Sequence, residues 1–243
     1  RSYGSDNPVL TAAFEGFLPG DSEADLFGAP VFSTIANPLS SVGRYTIDVE
    51  PGSLFNQQGY RLAFVPGELT VVPRPITVTA DSFSRIYGNA NPALTFTISG
   101  QGLVNGDRLT GALTTTAGAT TGVGNVAITQ GTLAATSNYA LTFVNGQLTI
   151  TPRPLTITAD DLTRIYGNAN PALTFRVGDG LVNGDQLTGA LATTANATTG
   201  VGTAAITQGT LTPGPNYAVN FINGQLTITP RAITVTADNI SRS

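Results

Sequence analysis

The 243-residue chain contains no cysteine, histidine, methionine or tryptophan, and all 11 of its basic residues are arginine, so lysine is missing as well. Without Cys there is no disulfide, thiolate metal site, iron–sulfur ligand or cysteine nucleophile, and without His the commonest general base and metal ligand is gone. Without Lys neither Schiff-base catalysis nor a Lys–Asn isopeptide crosslink can form. Ser and Thr are plentiful but have no imidazole to activate them, so no enzymatic activity is expected. Charged residues make up 11% of the chain, against a usual ~25%. The net charge of −4 carries no basic cluster, which argues against nucleic acid and anionic membranes as partners. No apolar run approaches the ~18 residues of a membrane span, so no membrane insertion is expected of this segment. The absent initiator Met and signal peptide point to an interior segment of a longer chain.

What remains is the composition of a β-protein. Apolar residues are 41% of the chain, Gly numbers 28, and Thr and Asn are abundant. β-Branched side chains fit a pleated surface, and Gly and Asn accept positive φ in turns.

Internal repetition dominates the sequence. Pro73-Arg74-Pro75-Ile76-Thr77-Val78-Thr79-Ala80-Asp81 returns as Pro152-Arg153-Pro154-Leu155-Thr156-Ile157-Thr158-Ala159-Asp160 and again from Pro230 to Asp238, a spacing of 79 residues (73 to 152) and then 78 (152 to 230). Arg85-Ile86-Tyr87-Gly88-Asn89-Ala90-Asn91-Pro92 matches Arg164 to Pro171, and Leu103-Val104-Asn105-Gly106-Asp107 matches Leu181 to Asp185. Residues 74–152 and 153–230 are thus two full repeat modules. Residues 1–73 keep the landmarks Tyr3-Gly4, Pro8, Gly20-Asp21, Gly59-Tyr60 and Gly67-Glu68-Leu69-Thr70. They form a third, diverged module that lacks the opening Ile-Thr-Val-Thr-Ala-Asp strand. Residues 231–243 supply one opening strand too many, with Ile233, Val235, Ala237 and Ile240 as its apolar positions. Laying Arg242-Ser243 over Arg1-Ser2 restores an unbroken motif, which implies a higher-order repeat of 241 residues (1 to 242).

Period-two alternation within 74–152 predicts strands at Ile76–Ala80, Leu94–Ile98, Leu109–Thr116, Asn125–Thr129, Tyr139–Val144 and Gln147–Thr151. Asn145-Gly146 and Asn223-Gly224 sit where a two-residue type I′ turn would join the last two strands as a hairpin. Pro152-Arg153-Pro154 joins the last strand of one module stiffly to the first of the next, so modules should line up end to end.

The run Tyr-Gly-Asn-Ala-Asn-Pro-Ala-Leu-Thr-Phe, with Asn-Gly-Gln-Leu-Thr-Ile-Thr-Pro-Arg-Pro-Leu-Thr-Ile-Thr-Ala, resembles the MBG (mostly-β, glycine-rich) tandem repeats of bacterial filamentous-haemagglutinin-like exoproteins and adhesins. Residues 74–230 carry the resemblance strongly and residues 1–73 more weakly. It implies export, extracellular or cell-surface display and a stalk or spacer role, and it brings no catalytic residues. The expected fold is all-β: three tandem small β-sandwich (immunoglobulin-like) modules of about 78 residues, with β-grasp-like rolls as the alternative.

Three candidate features remain. Tyr3, Tyr87 and Tyr166 recur before Gly and an Asn-Pro turn; a scaffold tyrosine, ring in the core and hydroxyl on a loop, is preferred over a carbohydrate-stacking platform. Asp21, Glu23 and Asp25 alternate in an acidic loop, a pattern calcium can use, although a solvated turn is the preferred reading because the Gly and distal Glu of an EF-type loop are missing; otherwise no cofactor is expected. The overhanging strand 231–243 completes the first module of the next unit, through a continuous chain or by donation between subunits, and removes that module's open edge. The favoured role is therefore a structural stalk or filament segment whose partners are further copies arranged head to tail, with the distal receptor unspecified. The rival is a glycan- or calcium-binding adhesin module in residues 1–73, where Phe14, Phe17, Leu26, Phe27 and Phe32 cluster near the acidic loop and could face a partner, although the module's own core is the preferred place for them.

Overall fold

The computed structural model describes residues 1–178 and 180–242. Short strands dominate, the one helical turn among the described residues being the 3-10 segment Glu23–Asp25, and the three-repeat, all-β architecture is as the sequence predicts. Contacts gather the chain into two compact units, Arg1–Asp81 with Leu94–Thr115 and Ala127–Gln147, and Ser82–Ala93 with Thr116–Val126 and Leu148–Ser243. The middle repeat contributes to both, so packing units and sequence repeats are offset.

The third repeat lies within the second unit and displays the module in full. Arg153–Ala159 is the centre of a three-stranded sheet, with Tyr217–Ile222 parallel on one side and Phe175–Val177 antiparallel on the other. The second sheet runs Leu162–Ile165, Gly224–Thr229, Gly202–Thr207, Ala192–Thr193, the first pair parallel and the others antiparallel. Each sheet thus contains one parallel pair, so strand directions are mixed, whereas an immunoglobulin sandwich is wholly antiparallel. Alternation explains the core. Leu155, Ile157 and Ala159 of the opening strand and Leu226 and Ile228 of the closing strand are buried while the intervening Thr residues are not, the period-two signature of strands with one face inward.

The predicted closing hairpin does not form. Tyr217–Ile222 and Gly224–Thr229 are separated by the single residue Asn223 and belong to different sheets. A type I′ turn needs positive φ at both central residues, and neither Asn223 nor Gly224 has it. Gly224 is required for another reason: a Cβ there would lie 2.6 Å from the Asp160 carbonyl oxygen and 2.8 Å from that of Ala159. Gly146 faces Asp81 and Ala80 in the same way, at 2.6 and 2.7 Å. The Asn-Gly pairs that do turn are Asn105-Gly106 (φ 57° and 77°) and Asn183-Gly184 (φ 55° and 78°), closed by Asp107 N–H to Val104 O at 2.9 Å and Asp185 N–H to Val182 O at 3.0 Å.

In the first unit the opening strand of the second repeat, Arg74–Ala80, sits between Tyr139–Val144 (parallel) and Phe96–Gly100 (antiparallel) in the same arrangement. The first repeat differs. Its sheet is Val31–Ser33, Gly43–Glu50, Gly67–Val71, all antiparallel, with a two-residue pair Leu26–Phe27 and Phe55–Asn56 beside it. The bridge Ser2 to Val72 stands where the parallel pair of the other repeats stands. Residues 10–16 and 60–66 belong to no ladder.

Candidate functional site

The most elaborate side-chain chemistry lies where one repeat meets the next, and it occurs twice. In the first unit the Tyr3 ring meets the Tyr139 ring edge to face, centroids 5.6 Å apart; in the second unit Tyr87 meets Tyr217 at 5.7 Å. Such T-shaped pairs place a positive ring edge on a negative face and contribute about 0.5–1.5 kcal/mol beyond the area they bury. The following glycine has positive φ and lies under a valine of the next repeat. A Cβ on Gly4 (φ 76°) would come within 2.4 Å of Val104 Cγ2, and one on Gly88 (φ 82°) within 2.5 Å of Val182 Cγ2.

Polar groups lock the same joint. The Asn138 and Asn216 side chains accept from Val42 N–H and Val123 N–H, at 3.0 and 2.9 Å. Asn105 and Asn183 donate to the carbonyls of Pro38 and Ala119, at 3.2 and 3.1 Å. Arg74 and Arg153 donate to the carbonyls of Tyr3 and Tyr87, at 3.2 and 3.4 Å. The Arg of Pro-Arg-Pro is therefore a strut between repeats, which neutral carbonyls can hold because guanidinium is a multiple donor.

The scaffold tyrosines are placed differently from the expectation of one core position in every copy. Tyr3 and Tyr87 are buried, but Tyr166 is 42% exposed: the first two rings serve the following repeat, and no repeat follows the third within these residues. The hydroxyl lock is made by residues that sequence reasoning passed over. Tyr139 donates to Asp107 Oδ2 at 2.7 Å and accepts from Val104 N–H at 3.0 Å; Tyr217 does the same with Asp185 (2.8 Å) and Val182 (3.0 Å). Burial, then the neighbouring carboxylate, raises the pKa of both phenols. The signal was available, since Tyr139 and Tyr217 recur 32 residues after their aspartates.

A second device braces each repeat internally. Arg85 and Arg164 are buried, and their hydrogen bonds go to amide and carbonyl oxygens rather than to a carboxylate. Arg85 Nε donates to Asn91 Oδ1 at 2.7 Å, its terminal nitrogens donate to Ile86 O and Gly118 O, and Asn91 donates to Ala117 O. Arg164 and Asn170 repeat the set. In the first repeat Asn7 donates to Ala36 O and Arg1 to Asn37 O, but Arg1 Nε and Asn7 Oδ1 are buried without a partner.

The acidic run of the first repeat does not converge on a metal position. Asp21 Oδ2 accepts the Tyr60 hydroxyl at 2.5 Å, which raises the Tyr60 pKa, and Asp25 Oδ2 accepts Ser22 N–H in a capping box on Glu23–Asp25. Among the described residues no group of three His, Cys, Asp or Glu side chains is arranged to hold a metal ion. Phe27 and Phe55 stack at 5.3 Å and are exposed. Ile233, Val235, Ala237 and Ile240 lie in residues 231–242, which join no ladder and are exposed throughout; the first two and Ile240 are 84%, 89% and 92% accessible. Arg231 is nonetheless engaged as the earlier arginines are, donating to Tyr166 O at 2.9 Å and Asn168 Oδ1 at 2.6 Å.

Two joints built from the same residues define a tandem β-repeat protein in which the Tyr-Gly of the first and of the second copy is read by the copy after it. The chain belongs to the MBG domain family, YGX type, which it matches at residues 1–70, 76–149 and 155–227. No curated protein matches it. These domains are structural repeats, and among the described residues no helix is long and apolar enough to cross a membrane.

Proposed function

We propose that the chain is a stalk or filament segment of a large exported bacterial surface protein, extended head to tail as residues 231–243 complete the first repeat of a following unit. The observation that carries this reading is the joint itself: ring pair, Gly–Val contact, two asparagines and an arginine strut recur at both boundaries. A linker without such contacts would let repeats swivel. A bonded joint fixes distance, which is what a spacer supplies.

Small-angle scattering on the chain and on its tandem duplicate tests the stalk. A stalk nearly doubles its maximum dimension on duplication, whereas compact packing scales it by only ~1.3-fold; the smaller increase would refute the spacer role. The adhesin reading for residues 1–73 draws on the exposed Phe27–Phe55 stack. Saturable glycan or calcium binding by calorimetry, lost in Phe27→Ala, would favour it over a pure spacer.

A further inference from the structure

The first repeat contains a groove of about 450 Å³ whose two walls are residues 12–15 and 62–65 and whose floor includes Pro30, Val49 and Leu54. That volume lies within the roughly 300–1,000 Å³ of small-molecule pockets, so its walls decide what fits. Residues 60–67 align without a gap on 139–146, and residues 8–16 on 92–100. In the second repeat those two segments are the strands on either side of Arg74–Ala80. The groove therefore lies where the other repeats hold their opening strand, and its walls are the two segments that correspond to the flanking strands but join no ladder here. Leu62 and Phe64 are half-buried with exposed residues between them, as Leu141 and Phe143 are.

We infer that this groove is the acceptor site for residues 231–241 of a second copy, which enter as the missing central strand. The inference rests on the head-to-tail reading above and gives it an address and a register. Transferring the observed pairing places Leu62 opposite Ile233, Ala63 opposite Thr234 and Phe64 opposite Val235 in parallel, with Phe14 opposite Val235 and Ala12 opposite Ala237 in antiparallel. Ile233, Val235 and Ala237 then face the core, as Ile76, Val78 and Ala80 do at 2%, 0% and 4% accessibility. Asp238 meets Thr11, as Asp160 accepts the Thr174 hydroxyl at 2.7 Å. Arg242 coincides with Arg1, so the donated strand ends at Ser241.

The face that would meet the donor is also prepared. Leu18 N–H donates to the Tyr60 hydroxyl at 3.0 Å and that hydroxyl bonds Asp21, which is the Val104–Tyr139–Asp107 lock in another sequence. Leu18 is 66% exposed. At the donor end Tyr166 is exposed and the atoms nearest the Cβ position of Gly167 (φ 85°) are those of Arg231, at 3.5 Å or more. Tyr166 of one copy on Tyr60 of the next, with Leu18 over Gly167, reproduces both internal joints. Main-chain pairing gives such strand addition its affinity and the alternate side chains give its register. A heterologous contact of this kind adds copy after copy unless its rotation closes a ring.

The test uses the full chain, which has no cysteine of its own. Sedimentation velocity over a concentration series should show a ladder of oligomers, and Val235→Asp, at a position that is 89% exposed and joins no ladder, should remove it by placing a carboxylate in an apolar groove. A Thr234→Cys chain mixed with an Ala63→Cys chain in a thiol redox buffer should give a heterodisulfide, since directly paired Cα atoms lie about 4.8 Å apart. Arg61→Cys, two residues out of register and about 8 Å away, should not. A chain that stays monomeric at all concentrations, or that associates without forming the disulfide between the Ala63→Cys and Thr234→Cys chains, overturns the acceptor assignment. Either result leaves the spacer reading to be judged by scattering alone.

Discussion

The paired glycines Gly88 and Gly167 allow the joint to be measured by one substitution made at two places. Both follow a tyrosine in the same motif and both have positive φ, 82° and 85°, so alanine at either costs about 1–2 kcal/mol for a left-handed L-residue. Their surroundings differ. The Cβ at position 88 would stand 2.5 Å from Val182 Cγ2 and 3.1 Å from Val182 Cβ, whereas at position 167 the nearest atom is Arg231 Nε at 3.5 Å. Overpacking of that kind adds about 1–3 kcal/mol. Gly88→Ala should therefore destabilise by about 2–5 kcal/mol and Gly167→Ala by about 1–2. Urea unfolding followed by circular dichroism gives the two values, compared through midpoints at unchanged slope. Adding Val182→Ala, which removes the obstructing methyls, should bring the two losses together. Equal losses in the single variants would refute the reasoning, because they would mean that the second repeat's Tyr-Gly carries no load from the third.

Tyr87→Ala removes a buried ring and should cost about 3–5 kcal/mol, against less than about 1 kcal/mol for exposed Tyr166→Ala; thermal unfolding compares them. Tyr139→Phe strips a hydroxyl bonded to a carboxylate and to Val104 N–H, and should cost about 1.5–3 kcal/mol. Combining it with Asp107→Asn should be clearly less than additive, as expected of one network. The phenols of Tyr139 and Tyr217 have raised pKa in the folded chain, so the folded state holds these protons more tightly than the unfolded state, in which tyrosine titrates near ~10. Their contribution is therefore complete below about pH 10 and is lost as pH rises through the folded value. Melting temperature should fall more steeply above about pH 10 for the parent chain than for a Tyr139→Phe, Tyr217→Phe double variant.

Much of this architecture is legible in the sequence because repetition supplies its own alignment. The alternation in Ile76–Ala80 and Tyr139–Val144 marks real strands, and the cores of the repeats follow from it. Two things were hidden for physical reasons. Phe83–Ile86 pairs parallel to the closing strand, but its buried residue is Arg85, so a hydrophobicity pattern passes over it. The predicted strand Leu109–Thr116 shrinks to Thr114–Thr115, because Gly111 (φ 87°) turns the chain against the Thr132 carbonyl. Asn-Gly makes no turn at 145–146 but does at 105–106, since the glycine reports only that a Cβ is unwelcome, and a close backbone neighbour excludes one as firmly as positive φ does. The spacing shows that Tyr3, Tyr87 and Tyr166 recur, but one sequence gives no view of which repeat a ring faces. Tyr3 and Tyr87 face forward to the next repeat, a fact set by tertiary packing rather than by spacing.

The most direct test of the account is hydrogen exchange on the intact chain, read by mass spectrometry from dilute to concentrated solution. Three segments far apart in sequence, residues 10–16, 60–66 and 231–241, should gain protection together as concentration rises, while the internal joints at Tyr87 and Tyr217 stay protected throughout. Exchange in those three segments that stays fast at every concentration, or protection that appears in 231–241 alone, would contradict it.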